Sequence, residues 1–211
     1  MSILVLTSDT LATTPSAGSI EYSSPILAAT PIGTQRGIVP TQQYYRLDSA
    51  LAGANVNTAQ NIFGVGVTLS ASTVYEFEMV VAFSKSAGTT SHTFSVGFGG
   101  TATLNNIAYE NALNYNTSAF FTGNNTAGAN AYMNFVQTAS ASSLVQGLTS
   151  ATIFFSGVFK GTVSINAGGT FIPQYTLSAA PGGAYTTAAG SYIRIAPIGA
   201  SGANTNVGTW A

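Results

Sequence analysis

Two glutamates and one histidine are the residues of this chain with the most scope for chemistry. Glu76 and Glu78 form the only close acidic pair. On a strand, positions i and i+2 point to one face, about 7 Å apart. Glycoside hydrolysis uses two carboxyls about 5–9.5 Å apart across a sugar cleft, so the spacing alone permits that chemistry. Catalytic pairs, however, usually come from different elements, with one environment raising a pKa. A solvated strand face accounts for Glu76 and Glu78 better. His92 is the single histidine, which leaves no multi-histidine zinc site within one subunit. A Ser–His–Asp arrangement is conceivable with Asp9 or Asp48, but Thr90-Ser91-His92-Thr93 contains no G-x-S-x-G elbow. His92 shares parity with Phe94, which predicts a buried, hydrogen-bonded histidine.

The remaining motifs are weaker. Gly97-Phe98-Gly99-Gly100 and Gly182-Gly183 lack the following Lys-Ser or Lys-Thr and the helix that a phosphate cradle needs. No calcium loop pattern is present. The absence of cysteine excludes disulfides, thiolate zinc sites and cysteine nucleophiles. The expectation is a protein without catalytic residues, cofactor or metal.

These residues must be placed by strands, because the dominant pattern along the chain is period two. Tyr75, Phe77, Met79, Val81 and Phe83 share one face. Phe63, Val65, Val67 and Leu69 alternate in the same way, as do His92, Phe94, Val96 and Phe98. Ile153, Phe155, Phe159, Val163 and Ile165 keep one parity, interrupted by Gly157 and Gly161. Turn sequences such as Ala167-Gly168-Gly169 and Pro181-Gly182-Gly183 separate the runs. Ala50 to Gln60 has room for one turn of helix at most. The prediction is an all-β antiparallel β-sandwich of eight to ten strands, in jelly-roll order, ending near Val207 and Trp210. Residues 111–131, rich in Asn, Thr, Ala and Gly, read as a long exposed loop.

Residues 1–38 differ from the rest. Four of the seven prolines (Pro15, Pro25, Pro31 and Pro40) fall in or just after this segment. It is predicted to be an extended N-terminal arm, with the sandwich domain occupying residues 39–211; the alternative is an ordinary first strand and loop of the same domain. Within the arm, Ile3-Leu4-Val5-Leu6 and Ile26-Leu27 have the composition to add a strand to a neighbouring sheet edge.

Charge is the scarcest resource. The 211 residues include five Lys and Arg and six Asp and Glu, 5% of the chain, against roughly 25% in ordinary soluble domains. A net charge of −1 excludes nucleic-acid binding driven by counterion release. The longest uncharged stretch, between Glu110 and Lys160, is broken by many Asn, Gly, Ser and Thr and does not read as a membrane span. The N-terminus lacks the basic region and apolar run of a signal peptide, so secretion is not expected. A surface so poor in ions, at 45% hydrophobic composition, points to burial against copies or partners.

Several segments resemble a domain of tailed-bacteriophage virion structural proteins. They include Gly33-Thr34-Gln35-Arg36-Gly37-Ile38-Val39-Pro40 with Tyr44-Tyr45-Arg46-Leu47, and Phe63-Gly64-Val65-Gly66-Val67-Thr68-Leu69. Val74-Tyr75-Glu76-Phe77-Glu78 and Gly97-Phe98-Gly99-Gly100-Thr101-Ala102-Thr103 also match. The C-terminal matches are Lys160-Gly161-Thr162-Val163-Ser164-Ile165-Asn166, Gly168-Gly169-Thr170-Phe171-Ile172-Pro173-Gln174-Tyr175 and Gly208-Thr209-Trp210. The resemblance is strongest in the C-terminal third and weakest across 111–150. It implies a virion component without enzymatic activity. A compact domain with a short arm suits a capsid cement (decoration) protein on the outer surface of the shell. Such a protein would be a homotrimer at capsomer junctions, with the major capsid protein as partner and no role for nucleic acid or membrane. Ile3, Leu4, Val5, Leu6, Ile26, Leu27 and Arg36 would then carry the partner contacts. The alternatives are a tail fibre or appendage tip, whose loops at 111–131 would touch host-surface glycans, and a secreted carbohydrate-binding module.

Overall fold

The alternating runs become strands, and their apolar parity decides which side faces inward. In the computed structural model, which describes residues 3–117, 119–120, 130–202, 204, 206–208 and 210, every regular element is a strand. No helix among these residues is long and apolar enough to cross a membrane. The first three strands, β1 (Ile20–Ser23), β2 (Ile26–Ile32) and β3 (Gln35–Ile38), form a small antiparallel sheet of their own. From β4 (Gln43–Arg46) onward the chain runs through β5 (Leu51–Ala52), β6 (Gln60–Asn61), β7 (Val67–Leu69), β8 (Thr73–Lys85) and β9 (His92–Gly99). It continues through β10 (Thr103–Asn116), β11 (Asn130–Val136), β12 (Ser142–Leu148) and β13 (Ile153–Ala167). It ends with β14 (Gly169–Leu177), β15 (Thr186–Thr187) and β16 (Tyr192–Ala200).

Pairing from β4 to β16 is nested. β10 pairs with β11, β9 with β12, β8 with β13, β6 and β7 with β14, β5 with β15, and β4 with β16, all antiparallel. The segment from Gln43 to Ala200 is therefore one ribbon doubled back between β10 and β11. The ribbon wraps so that β10 also meets β13, β16 and β15 meet β8, and β14 meets β9. The result is a β-sandwich. Its larger sheet has the order β11-β10-β13-β8-β16-β4, with β15 and β5 beside the far end of β8. The smaller sheet runs β12-β9-β14, with β6 and β7 end to end along β14.

Aromatic rings fill the space between the sheets. Phe94 of the smaller sheet lies 4.8 Å from Phe155 and 5.1 Å from Phe83 of the larger one, ring centre to ring centre. Phe98 stacks on Phe171 at 4.8 Å and meets Phe77 edge-on at 5.3 Å. The two glycines that interrupt β13 make this possible. Gly161 stands in register between Tyr109 and Phe77, and Gly157 between Leu113 and Val81. A Cβ at Gly161 would meet the Ala108 carbonyl oxygen and Tyr109 Cβ.

Two polar groups are sealed in the same core. Lys85 is buried at the end of β8, where its Nζ donates to the carbonyls of Ala87 (2.9 Å), Gly88 (2.7 Å), Ser150 (2.8 Å) and Ala151 (3.3 Å). These carbonyl dipoles replace a counter-ion and tie two turns to one strand end. His92 is buried between Thr90 and Tyr185. Its Nδ1 lies 2.7 Å from the Thr90 carbonyl, which only accepts, so Nδ1 carries the proton and Nε2 accepts from the Tyr185 hydroxyl at 2.8 Å.

Five expectations are corrected. Among the described residues sixteen strands replace eight to ten: three form the separate N-terminal sheet, and the ribbon from β4 to β16 is divided into thirteen. Residues 111–116 and 130–131 belong to β10 and β11 and not to a loop; 118 and 121–129 lie outside the described residues. The segment 50–60 carries β5 and the start of β6 instead of helix, and no strand covers Val207 or Trp210. The stretch 1–38 is extended only in part. Residues 3–18 have no regular structure, but 20–38 form the three-stranded sheet. There Pro25 and Gly33 occupy the turns, and Pro31 falls where the β2–β3 register breaks between Ala29 and Ile32. β2 buries Ile26, Ala28 and Thr30 and lies against β16.

Gly161→Ala should lower stability by about 1–3 kcal/mol through overpacking, whereas Gly37→Ala, with open space around its Cβ position, should change it by less than about 0.5 kcal/mol. Denaturant midpoints compare the two, and equal midpoints would show that the inward glycine is not required. A second expectation concerns pH. Burial lowers the His92 pKa below its ordinary 6.5; Lys85 adds to the shift and the Thr90 carbonyl opposes it. The unfolded chain therefore takes up a proton that the folded one refuses. Stability should be fully present above about pH 6.5 and decline as pH falls toward the lowered folded value. Unfolding free energies measured from about pH 7 to pH 5 should fall in the native protein and flatten in His92→Gln; an equal slope in both would exclude His92 as the cause.

Candidate functional site

Of the seven residues predicted to contact partners, four are exposed. Ile3, Leu4 and Val5 are 76%, 84% and 78% exposed, and Leu6 follows them on the same unstructured segment. The next residues are fastened to the small sheet. Asp9 N donates to the Tyr22 carbonyl (3.0 Å), Ser24 N to Ser8 Oγ (2.8 Å) and Ala12 N to Glu21 Oε1 (2.8 Å). The other three predicted residues are engaged within the fold. Ile26 is buried and Leu27, half-buried, sits opposite Tyr22 in the β1–β2 ladder. Arg36 Nε donates to Glu21 Oε2 at 2.8 Å, and its Nη2 reaches the Ala12 carbonyl and Glu21 Oε1. The Ala12 amide and Arg36 hold the Glu21 carboxyl below its usual range. Arg36 thus ties the base of the arm to the sheet.

The sandwich is open along part of one side. Along its other half, β5 and β15 extend the larger sheet toward β6, where Gln60 Oε1 accepts from Ala54 N. Between β4 and β7 no strand among the described residues closes it. All four residues of β4 are exposed, although the strand pairs with β16. Gln43 and Tyr45 share the inward parity of Ile195 and Ile193, and Tyr45 meets Phe63 edge-on at 6.1 Å. A cleft of about 340 Å³ lies here, lined by Tyr45, Phe63, Val65, Val67, Phe171 and Ile193.

The outer face of the larger sheet concentrates the charge. Glu76, Glu78, Glu110, Lys160 and Arg194 are five of the chain's eleven charged residues, and they line one shallow depression of about 460 Å³. Ladder register puts Phe135, Glu110, Lys160, Glu78, Arg194 and Tyr44 in a single row across six strands. Glu78 is its hub. It pairs with Lys160 Nζ at 3.0 Å and Arg194 Nη2 at 3.1 Å and accepts from the Tyr192 hydroxyl at 2.9 Å. Lys160 above all, with Tyr192 and Arg194, holds the Glu78 carboxyl below its usual range despite partial desolvation. A carboxylate held ionised and paired in this way has the opposite character to a general acid, and Glu78 acts here as the hub of an ion-pair network. Tyr192 in turn stacks on Tyr44 at 5.3 Å, and its own pKa is raised by donating to Glu78. The margin of this face, on edge strand β11, carries Met133 and Phe135, 81% and 68% exposed.

Among the described residues, no three His, Asp or Glu side chains are grouped to hold a metal ion. Sequence reasoning found Glu76 and Glu78 but missed the row they belong to. Lys160 and Arg194 reach Glu78 only through strand register, and that depends on pairings between segments far apart in the chain. The β4–β7 cleft was missed for the same reason, although Tyr44-Tyr45 and Phe63 were already conspicuous.

No family model matches the chain, and no curated protein matches it. Among solved structures, it is similar to a chain in a structure of infectious bursal disease virus, Gx strain, at 10% identity and a TM-score of 0.19. The likeness covers 84% of this chain and 48% of that one, so this chain spans about half the length of its neighbour.

Proposed function

We propose that this protein is a virion structural subunit of a tailed bacteriophage, acting as a cement protein on the outer surface of the capsid. The observation that carries the reading is uncovered apolar surface in a chain almost without charge. Ile3, Leu4 and Val5 on the arm and Met133 and Phe135 on the sheet margin all stand in solvent in the single subunit. Residues of this kind, with so few ions around them, suit burial in an assembly.

The nested ribbon supports the same reading. The order β4-β16-β8-β13 facing β6/β7-β14-β9-β12 supports reading the sandwich as a jelly roll, with β10 and β11 added at one edge. Jelly rolls recur in viral capsid and lectin domains, so the fold admits the role without assigning it. In the proposed role, trimers bind the major capsid protein at capsomer junctions. Binding only the assembled shell deepens its free-energy well, and many symmetry-related copies add their effects. The protein does no catalysis in this reading. The ion row centred on Glu78 serves as an internal clamp across the sheet, and the arm and sheet margins make the contacts.

Quantitative mass spectrometry of purified particles tests the assignment. Copy number should stand in fixed ratio to the major capsid protein, and adding the protein to shells stripped of it should raise their opening temperature. A handful of copies confined to the tail, with no effect on shell opening, would replace the cement reading with a tail-tip one.

A further inference from the structure

We propose that Ile3–Leu6 of one copy adds as a strand to the free edge of β4 in a second copy, covering the cleft between β4 and β7. The inference deepens the assembly reading above and rests on it only in taking the chain to be a subunit. It names a second copy of this chain as the occupant of the cleft.

The acceptor is built for a strand. β4 ends the larger sheet, so among the described residues the peptide groups along its outer side have no ladder partner, and such an edge is a template for another chain. β4 is Gln-Tyr-Tyr-Arg with every residue exposed, which leaves both faces of an added strand a neighbour to pack on. On the inner side those neighbours are Tyr45, Phe63, Val65 and Val67; on the outer side they are Tyr44 and the Tyr192 ring stacked on it. The edge at β11 suits an apolar strand less, because Asn134 stands in it and the depression of about 500 Å³ beside it is lined by Glu110, Asn111 and Lys160 as well as by Met133 and Phe135.

The donor matches. A strand that packs on both sides needs apolar residues at both parities, and Ile3-Leu4-Val5-Leu6 has them. One pair would enter the cleft while the other lies beside Tyr44. Pairing gives affinity through the main chain, and the cleft selects for branched aliphatic side chains. The arm's own molecule does not use these residues, which remain exposed. Residues 8–12 are pinned to the small sheet, so the free tether is residues 3–7, about 18 Å at full extension. So short an arm reaches only a copy packed directly alongside, which makes exchange a contact of specific geometry and not a loose tether.

The absence of cysteine gives a clean test with full-length protein. Size-tagged Val65→Cys protein is mixed with untagged Ile3→Cys, Leu4→Cys, Val5→Cys or Leu6→Cys and treated with a short thiol cross-linker. A mixed-size product should form with residues of at least one parity, while the same donors mixed with Met133→Cys give little. Absence of the Val65 product from all four donors overturns the proposal. So does a link found only within a single chain carrying both cysteines, and so does equal reaction with Met133→Cys. Shell binding by the same variants separates the two readings. Lost shell affinity with persistent cross-linking removes the cement role alone, and retained shell affinity without cross-linking removes arm exchange alone.

Discussion

The register between β8 and β13 is the constraint on which the rest of the structure depends. It runs unbroken from Thr73 opposite Ile165 to Lys85 opposite Ile153 and sets both faces of the larger sheet at once. Because side chains alternate strictly, a slip of one residue would exchange the two faces. Phe77, Met79 and Phe83 would turn to water, and Glu78 would enter a core of phenylalanine and tyrosine. The inner face fixes this register by shape, since Gly161 and Gly157 must fall where Phe77 with Tyr109 and Val81 with Leu113 need room. The outer face fixes it by charge, since Lys160 must fall beside Glu78. Two independent criteria select one alignment.

With the register set, a few charges do work that most domains spread over many. All five basic residues are engaged: Arg36 with Glu21, Arg46 with Asp48, Lys160 and Arg194 with Glu78, and Lys85 with carbonyls. Exposed ion pairs are individually worth about 0–1 kcal/mol, so these pairings matter more for alignment than for net stability. Glu78 is different in degree, being only 15% exposed and shared by two cations and a tyrosine hydroxyl. Lys85 is different in kind. A buried ammonium without a carboxylate is tolerated because several carbonyl oxygens replace its water, and those carbonyls come from two separate turns.

The strands were legible from alternation wherever one face is buried, as in Tyr75 to Phe83 and Ile153 to Ile165. His92 was legible too, as a core histidine, from its parity with Phe94. What alternation does not carry is partnership. Nothing local in β4 says that it pairs with β16, or that β5 pairs with β15, because those pairings join segments more than a hundred residues apart. The first 38 residues were misjudged for a related reason. Proline there reads as a mark of extension, yet Pro25 lies in a hairpin turn and Ile26, Ala28 and Thr30 alternate into a buried face. The alternation was present but short, and the prolines masked it. Leu27 and Arg36 looked available because the partners that occupy them, Tyr22 and Glu21, belong to a strand that was not expected.

The two edges of the larger sheet are protected differently. Sheet edges are normally blunted by lysine, proline, bulges or covering loops, because bare edges recruit other chains. β11 carries no charged residue and no proline, and β4 carries only Arg46, which is turned toward Asp48. The opposite protections appear where the sandwich closes on itself, with β5 and β15 completing the ladder over Tyr185 and Gln60 bridging to Ala54. Protection is thus present on one half of the open side and missing on the other, directly above the apolar cleft. A chain with so few ions has little charge to guard an edge, and the same scarcity leaves its first residues, Ile3 to Leu6, uncharged and apolar. Edge, cleft and arm are three results of one composition.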